Sequence, residues 1–310
     1  MSDPYFDLNR RQILSLLGAT GASLTLPQSL SAAPSPLLTK PIPSSGERLP
    51  VVGMGTWITF NVGNDVALRN QRVKVLRAFF KNGGAMIDSS PMYGSSEEVV
   101  GYCLSKLRDR EQLFSATKVW TYLQSLGISQ MKRSEKLWKE SQFDLLQIHN
   151  LMDWKKHMET LKSWKSQGRV RYIGITTSHG RRHRLFEKVM KTEPIDFVQF
   201  SYNIRDRAVE ERLLPIARER GLAVIINRPF KRGALFSATN RRPLPAWAAE
   251  FDCENWAQFY LKFIVSHPAV NCAIPATSRV DHMNENMGAL RGRLPDPDMR
   301  KKMVRYFENL

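Results

Sequence analysis

Short apolar runs recur along this chain at intervals that leave room for one helix between each pair. The first covers 51–56, and similar runs follow at 85–88, 113–118, 144–149, 170–176, 195–200, 222–227 and 272–275. Between them the apolar spacing becomes helical. Over 66–82, Val66, Val73, Leu76, Phe79 and Phe80 fall on one side, and Gly83 and Gly84 end the run. Eight strands alternating with helices predict an α/β fold, a parallel (β/α)8 TIM barrel in a single domain, with function in the loops after the strands.

The barrel pattern occupies 49–294. Ahead of it, 34–48 is rich in Pro and Ser and reads as a linker, and after it 295–310 reads as a tail ending in a helix over 299–307. The longest interruption, 229–256, is rich in Arg, Pro and Ala. Residues 1–33 stand apart. Arg10 and Arg11 precede a moderately apolar stretch, 13–26, diluted by Gly18 and Gly21 and too short to span a bilayer readily. Small residues follow at 29–33.

Composition narrows the classes of function. The formal charge is +17, from 46 Lys and Arg against 29 Asp and Glu. Such a balance suits anionic partners, but the basic residues are scattered along helices and no nucleic-acid motif is present, so no nucleic-acid partner is expected. The densest basic run, 179–184, reads as the start of a solvated helix. The three cysteines, Cys103, Cys253 and Cys272, lack metal-ligand spacing, and no metal site is expected.

Candidate chemistry lies where the apolar runs end. Asp88 closes the second run, and Tyr93 follows on a turn shaped by Pro91 and Gly94. Lys118 stands near the end of the third run, and His149 ends the fourth. In a parallel barrel these ends converge on one face. A lysine beside a phenol lowers its pKa, a carboxylate holds the lysine charged, and an imidazole hydrogen-bonds a substrate oxygen.

The order and spacing of Asp88, Tyr93, Lys118 and His149 resemble the catalytic tetrad of the aldo-keto reductase superfamily. The resemblance extends through Pro50-Val-Val-Gly-Met-Gly-Thr-Trp57, Gly168-Arg-Val-Arg-Tyr-Ile-Gly174, Val198-Gln-Phe-Ser-Tyr-Asn203 and Ile274-Pro-Ala-Thr-Ser278. It implies reduction of a small-molecule carbonyl with NADP(H), NAD(H) being possible, with Tyr93 as general acid. It also implies that Gln199 meets the nicotinamide carboxamide, that Thr277, Ser278 and Arg279 meet a phosphate, and that Asn286 meets the adenine. Arg228 is a candidate for the pyrophosphate, Trp57 and Trp120 for the walls of the substrate pocket, and 229–256 for the loop that covers the cofactor.

Three features depart from the family pattern. Thr176 and Thr177 stand where a Ser-Asn pair is usual, Asn227 replaces a stacking aromatic, and His282 replaces an arginine. The departures at Thr177 and Asn227 motivate a second reading, a nicotinamide-binding sensor with little turnover. Residues 1–33 resemble a twin-arginine export signal cleaved near 31–33. That implies a periplasmic or otherwise exported protein that meets the export machinery and the membrane only in transit. The pathway moves folded proteins, so a cofactor acquired in the cytoplasm would travel bound.

Overall fold

The computed structural model describes residues 36–310, and the expected export signal lies outside the described residues. An antiparallel hairpin comes first, β1 (Thr39–Pro41) with β2 (Arg48–Pro50), Lys40 opposite Leu49. Among the described residues, eight parallel strands follow: β3 (Met54–Gly55), β4 (Met86–Asp88), β5 (Phe114–Val119), β6 (Phe143–Ile148), β7 (Val170–Thr176), β8 (Phe197–Ser201), β9 (Ala223–Asn227) and β10 (Cys272–Ala273). Each pairs with the next in sequence, and a parallel bridge between Val52 and Ala273 joins the last strand to the first. The sheet is therefore the expected barrel.

Helices cover its outer face: α1 (Val66–Lys81), α2 (Ser96–Leu104), α3 (Gln124–Trp138), α4 (Trp154–Ser166), α5 (His183–Thr192), α6 (Leu213–Glu219), α7 (Ala234–Ala238), α8 (Trp256–Val265), α9 (Val280–Gly288) and α10 (Pro297–Glu308). In α1 the Asp65 carboxylate accepts the Leu68 amide as an N-cap. Val73, Leu76, Phe79 and Phe80 are buried as their spacing predicts, whereas Val66, at the first turn, is exposed.

Side-chain alternation sorts the barrel interior into layers. Near the N-terminal ends of the strands, Met86, Phe114, Leu145, Tyr172, Phe197 and Ala223 belong to one apolar cluster. Two residues further along, most of the same strands carry Asp88, Ala116, Gln147, Gly174, Gln199 and Ile225. A Cβ on Gly174 would sit 2.6 Å from the Phe197 carbonyl oxygen, so glycine is required there. Asp88, Gln147 and Gln199 thus enter the interior towards the C-terminal face, above a layer whose hydroxyl, on Tyr172, turns to Ser45 and Glu47.

From Thr39 the segment expected to be a linker instead builds the hairpin under the barrel, despite its Pro and Ser content. Ile42 and Leu49 join the interior cluster. Lys40 Nζ donates to the carbonyls of Val265 (2.7 Å), His267 (2.8 Å) and Val270 (2.6 Å), tying the hairpin to the end of α8. The C-terminal segment also packs on the body. Asp296 caps α10, which buries Met303 and Phe307, and Arg300 donates to the Tyr202 hydroxyl at 2.6 Å. Cys103, Cys253 and Cys272 are free and buried. No helix of the described residues is long and apolar enough to cross a membrane.

Candidate active site

A cavity of about 1020 Å³ opens at the C-terminal ends of the strands, a volume at the top of the range for small-molecule sites. Asp88, Tyr93 and His149 line it, and Lys118 lies directly beneath, fully buried. Four residues spread over 62 positions of the chain therefore meet, because three adjacent strands end there and one turn follows.

Asp88 is the centre of the arrangement. Its Oδ2 takes the Lys118 ammonium at 2.6 Å, while Oδ1 accepts from the side-chain amides of Gln199 (3.0 Å) and Gln147 (3.2 Å). Lys118 also donates to the Ser89 carbonyl at 2.7 Å. Burial pulls the Lys118 pKa down, and the Asp88 carboxylate opposes that pull. The carboxylate is thus held by three donors in a dry interior.

The turn that carries Tyr93 is closed by its amide donating to the Ser90 carbonyl at 2.9 Å, with Pro91 at the second position, where its fixed φ is favoured. The Tyr93 ring meets His149 edge to face, centroids 5.7 Å apart, and Lys118 Nζ lies 5.3 Å from the ring centroid. The expected lowering of the phenol by Lys118 does not follow from this geometry. Asp88 neutralises the lysine, and burial followed by the Asp88 charge raises the Tyr93 pKa well above its ordinary value, with Arg228 opposing. The phenol is therefore held protonated.

His149 is held well below its ordinary pKa, first by burial and then by Lys118, so the ring is neutral. Its Nδ1 lies 2.8 Å from Ser90 Oγ, which also accepts the Met92 amide at 3.3 Å. The Ser90 hydroxyl can give its proton to Nδ1 or accept one from it; where Ser90 is the donor, Nε2 is the ring nitrogen that carries hydrogen.

Of the residues expected to meet a cofactor, Thr176, Thr177, Gln199, Arg228, Thr277 and Asn286 line the cavity. Ser278 and Arg279 are outside its lining, and Arg279 is turned to Asp281 as an ion pair. His282 and Glu285 face the cavity at that end instead. The Thr177 hydroxyl is engaged within its own loop, donating to the Arg181 carbonyl at 2.7 Å, and Thr176 Oγ1 accepts the Asn150 amide at 3.0 Å. Asn227 knits three strand ends, donating to the Thr177 carbonyl (3.0 Å) and accepting from Ser201 (2.6 Å). Trp57 and Trp120 both stand in the wall. The interruption at 229–256 is largely structured, and Phe230, Arg232 and Phe236 from it reach the cavity.

The site fits a nicotinamide dinucleotide by its donors. The segment 275–279 leads into the N-terminus of α9 with the Thr277 hydroxyl beside it, an arrangement suited to phosphate. Among the described residues no group of His, Cys, Asp or Glu is arranged to hold a metal.

The Aldo/keto reductase family model matches residues 51–302. The chain belongs to the aldo/keto reductase family. With that membership it is an NAD(P)H-dependent oxidoreductase. Methylglyoxal reductase YeaE of Escherichia coli (strain K12) is 26% identical over 266 residues, covering 84% of this chain and 92% of that protein. Aldo-keto reductase AKR11C1 from Bacillus halodurans, in its holo form, superposes with a TM-score of 0.72 at 20% identity, over 88% of this chain and 96% of that one. An aldo/keto reductase from Klebsiella pneumoniae in complex with NADP and acetate gives 0.69 at 22% identity, over 84% and 93%.

Several site residues of this aldo/keto reductase were not anticipated from its sequence. Gln147 is legible in retrospect, as a lone amide two positions before His149 in an apolar strand. Ser90 stands two positions after Asp88 and offers no such contrast. Arg181 and Arg182 lie in the basic run 179–184, read from sequence as the start of a solvated helix; the helix begins only at His183, and the two arginines line the cavity instead. Arg232 is hidden among the many basic residues of the chain.

Proposed function

We propose that the protein is an exported NADP(H)-dependent reductase of small aldehydes or ketones, with Tyr93 as the proton donor. The observation that carries this reading is the buried Asp88–Lys118 pair beneath Tyr93 and a neutral His149, at the wall of one large cavity. When bound, the nicotinamide supplies the hydride that goes to the carbonyl carbon. Gln199, Asn286 and the Thr277 segment would hold it, with Arg228 near its phosphates. The NADP complex of the Klebsiella pneumoniae protein supports the choice of nucleotide.

The protein's own residues then manage the carbonyl oxygen. His149 Nε2–H orients it by a hydrogen bond. Tyr93, kept protonated, gives its proton to the oxygen as negative charge develops there. The Arg228 charge, which opposes the rise of the Tyr93 pKa, favours the phenolate left behind, while Asp88 with its two glutamines keeps the Lys118 ammonium in place beneath the ring.

Export rests on the paired Arg10 and Arg11 and the apolar stretch after them. The test is to purify the protein from the exported fraction, sequence its N-terminus, and follow NADPH oxidation with an aldehyde panel that includes methylglyoxal. Turnover that is lost in Tyr93→Phe, from a protein starting near residue 34, is the expected result. Full activity in Tyr93→Phe refutes the proton-donor role, and retention of residues 1–33 in the cytoplasm refutes export. A second reading, a nicotinamide-binding sensor, draws support from the engagement of the Thr177 hydroxyl by its own loop. It requires tight nucleotide binding without turnover.

A further inference from the structure

Apolar side chains stand out of this protein's surface at one end. Among the described residues seven large hydrophobic side chains are exposed, and every one lies between a barrel strand and the second turn of the helix that follows it. Ile58 follows β3, Tyr122 and Leu123 follow β5, and Leu126 is in the first turn of α3. Val66 and Val280 open α1 and α9, and Phe236 lies in α7, between β9 and α8. In a parallel barrel all these connections are at the C-terminal face, so the seven surround the cavity mouth. Among the described residues the hairpin at the other end presents none.

A small molecule in the cavity does not account for them. Ile58, Tyr122 and Phe236 line the cavity, but Leu123, Leu126, Val66 and Val280 do not. On the two loops that flank the mouth, Ile58 is 62% exposed, Tyr122 68%, Leu123 53% and Leu126 52%.

Two of these side chains are held outward by an unfavourable backbone. Ile58 has φ 65°, which a β-branched residue rarely adopts, and Leu123 has φ 68° with ψ 136°, a conformation suited to glycine. The second loop is also braced. The side-chain amide of Gln130 accepts the Trp120 amide at 2.6 Å and donates to the Trp120 carbonyl at 3.1 Å. His157 Nε2 donates to the Thr121 carbonyl at 2.8 Å, and the Asp153 carboxylate accepts the Leu123 amide at 3.0 Å. Strain and bracing thus fix apolar groups in water, the reverse of what folding alone favours.

Positive charge stands behind them. Arg133 comes seven positions after Leu126, hence on the same side of α3 and about 10 Å further along its axis. Lys132 is beside it, and both are exposed. The acidic residues at that end of α3 are engaged elsewhere, Glu135 with Arg169 and Glu140 with Arg110. Lys155 is exposed in the first turn of α4, at the same face as the apolar tips. Among the described residues Lys132, Arg133 and Lys155 are in no ion pair. The formal charge of +17 opposes docking to a second copy of the chain and favours an anionic partner. The tips come from four separate connections, which a fluid surface accommodates independently.

We propose that the cavity mouth docks on an anionic lipid bilayer. Ile58, Tyr122, Leu123 and Leu126 enter the boundary between headgroups and acyl chains, while Lys132, Arg133 and Lys155 meet lipid phosphates. An export signal alone would bring the chain to a membrane only in transit. This contact belongs to the folded barrel and does not depend on the reductase reading.

The full chain is tested on vesicles of equal parts phosphatidylglycerol and phosphatidylcholine. Cys103, Cys253 and Cys272 are buried, so a thiol introduced by Leu126→Cys takes a nitrobenzoxadiazole label selectively. Ser44→Cys, at the exposed turn of the hairpin, labels the opposite end. The expected result is that the label on Leu126→Cys brightens, shifts to the blue and is quenched by spin-labelled lipid, while that on Ser44→Cys is unchanged. Binding read by co-sedimentation weakens about tenfold in Leu123→Gly, and several-fold at about 0.5 M salt or on phosphatidylcholine alone. Leu123→Gly melts no lower than the unaltered protein, because glycine adopts that backbone without strain, so its lost binding is not lost folding. Leu126→Ser gives a similar weakening from an unstrained position.

Absence of binding overturns the proposal. So does binding in which the Leu126→Cys label stays in water, which assigns attachment to the apolar stretch at 13–26. Equal responses at both ends, affinity unchanged in Leu123→Gly and Leu126→Ser, or equal binding to neutral vesicles also overturn it. Dimers that brighten the Leu126→Cys label without lipid do the same, by assigning the face to a second copy.

Discussion

Removing Lys118 while keeping Asp88 exposes how the site is held together. The ammonium is fully buried and stands 2.6 Å from the carboxylate, where the Coulomb attraction is about 6 kcal/mol at an effective dielectric of about 20. Desolvating the two ions costs several kcal/mol each, so the pair as a whole contributes little to folding. Stranding one partner is another matter, with a typical cost of about 3–5 kcal/mol. In Lys118→Met the carboxylate keeps its bonds from Gln147 and Gln199, which places this variant near the lower end of that range. In Asp88→Asn the ammonium keeps only the Ser89 carbonyl among its present acceptors and faces a neutral amide. The double variant leaves neither partner of this pair stranded and should cost less than the sum of the singles by about 3 kcal/mol. Equilibrium unfolding in urea of the four proteins at neutral pH measures this. Singles that each cost under about 1 kcal/mol, or a double that equals their sum within about 0.5 kcal/mol, would refute the account of a coupled buried pair.

Two further outcomes follow from the same contacts. His149 has a lowered pKa and is neutral at and above the ordinary histidine range, while Tyr93 has a raised pKa and stays protonated into alkaline solution. Neither group changes charge between about pH 6 and about pH 9, so the rate of carbonyl reduction should vary by less than about twofold there; a limb near pH 6.5 that disappears in His149→Gln would contradict it. Lys40→Ala leaves the carbonyls of Val265, His267 and Val270 without their shared donor and should cost about 2–3 kcal/mol, read as a lower melting temperature. No change in melting would mean that the hairpin is not anchored by that lysine.

Much of the barrel is legible in the order of residues because strand and helix periods are local. Each apolar run is followed by a helical stretch, and the end of a run marks the end of a strand to within a residue or two. Asp88, Lys118 and His149 were therefore locatable from the sequence, and so was Tyr93 on the turn that Pro91 and Gly94 shape. The hairpin at 39–50 was not, since Pro and Ser signal a linker and a short exposed hairpin alike. Its meaning comes from Ile42 and Leu49, which are buried only because a barrel stands above them.

The sequence by itself determined the alternation of elements, the residues at the strand ends and the turn that carries the phenol. Only the tertiary structure decided that Asp88 takes the charge of Lys118, that Tyr93 is raised and not lowered, and that arginines some 50 positions apart share one rim. The physical reason is range. Side-chain direction repeats within a few residues, whereas burial and electrostatic interaction depend on which distant segments the closed barrel brings together.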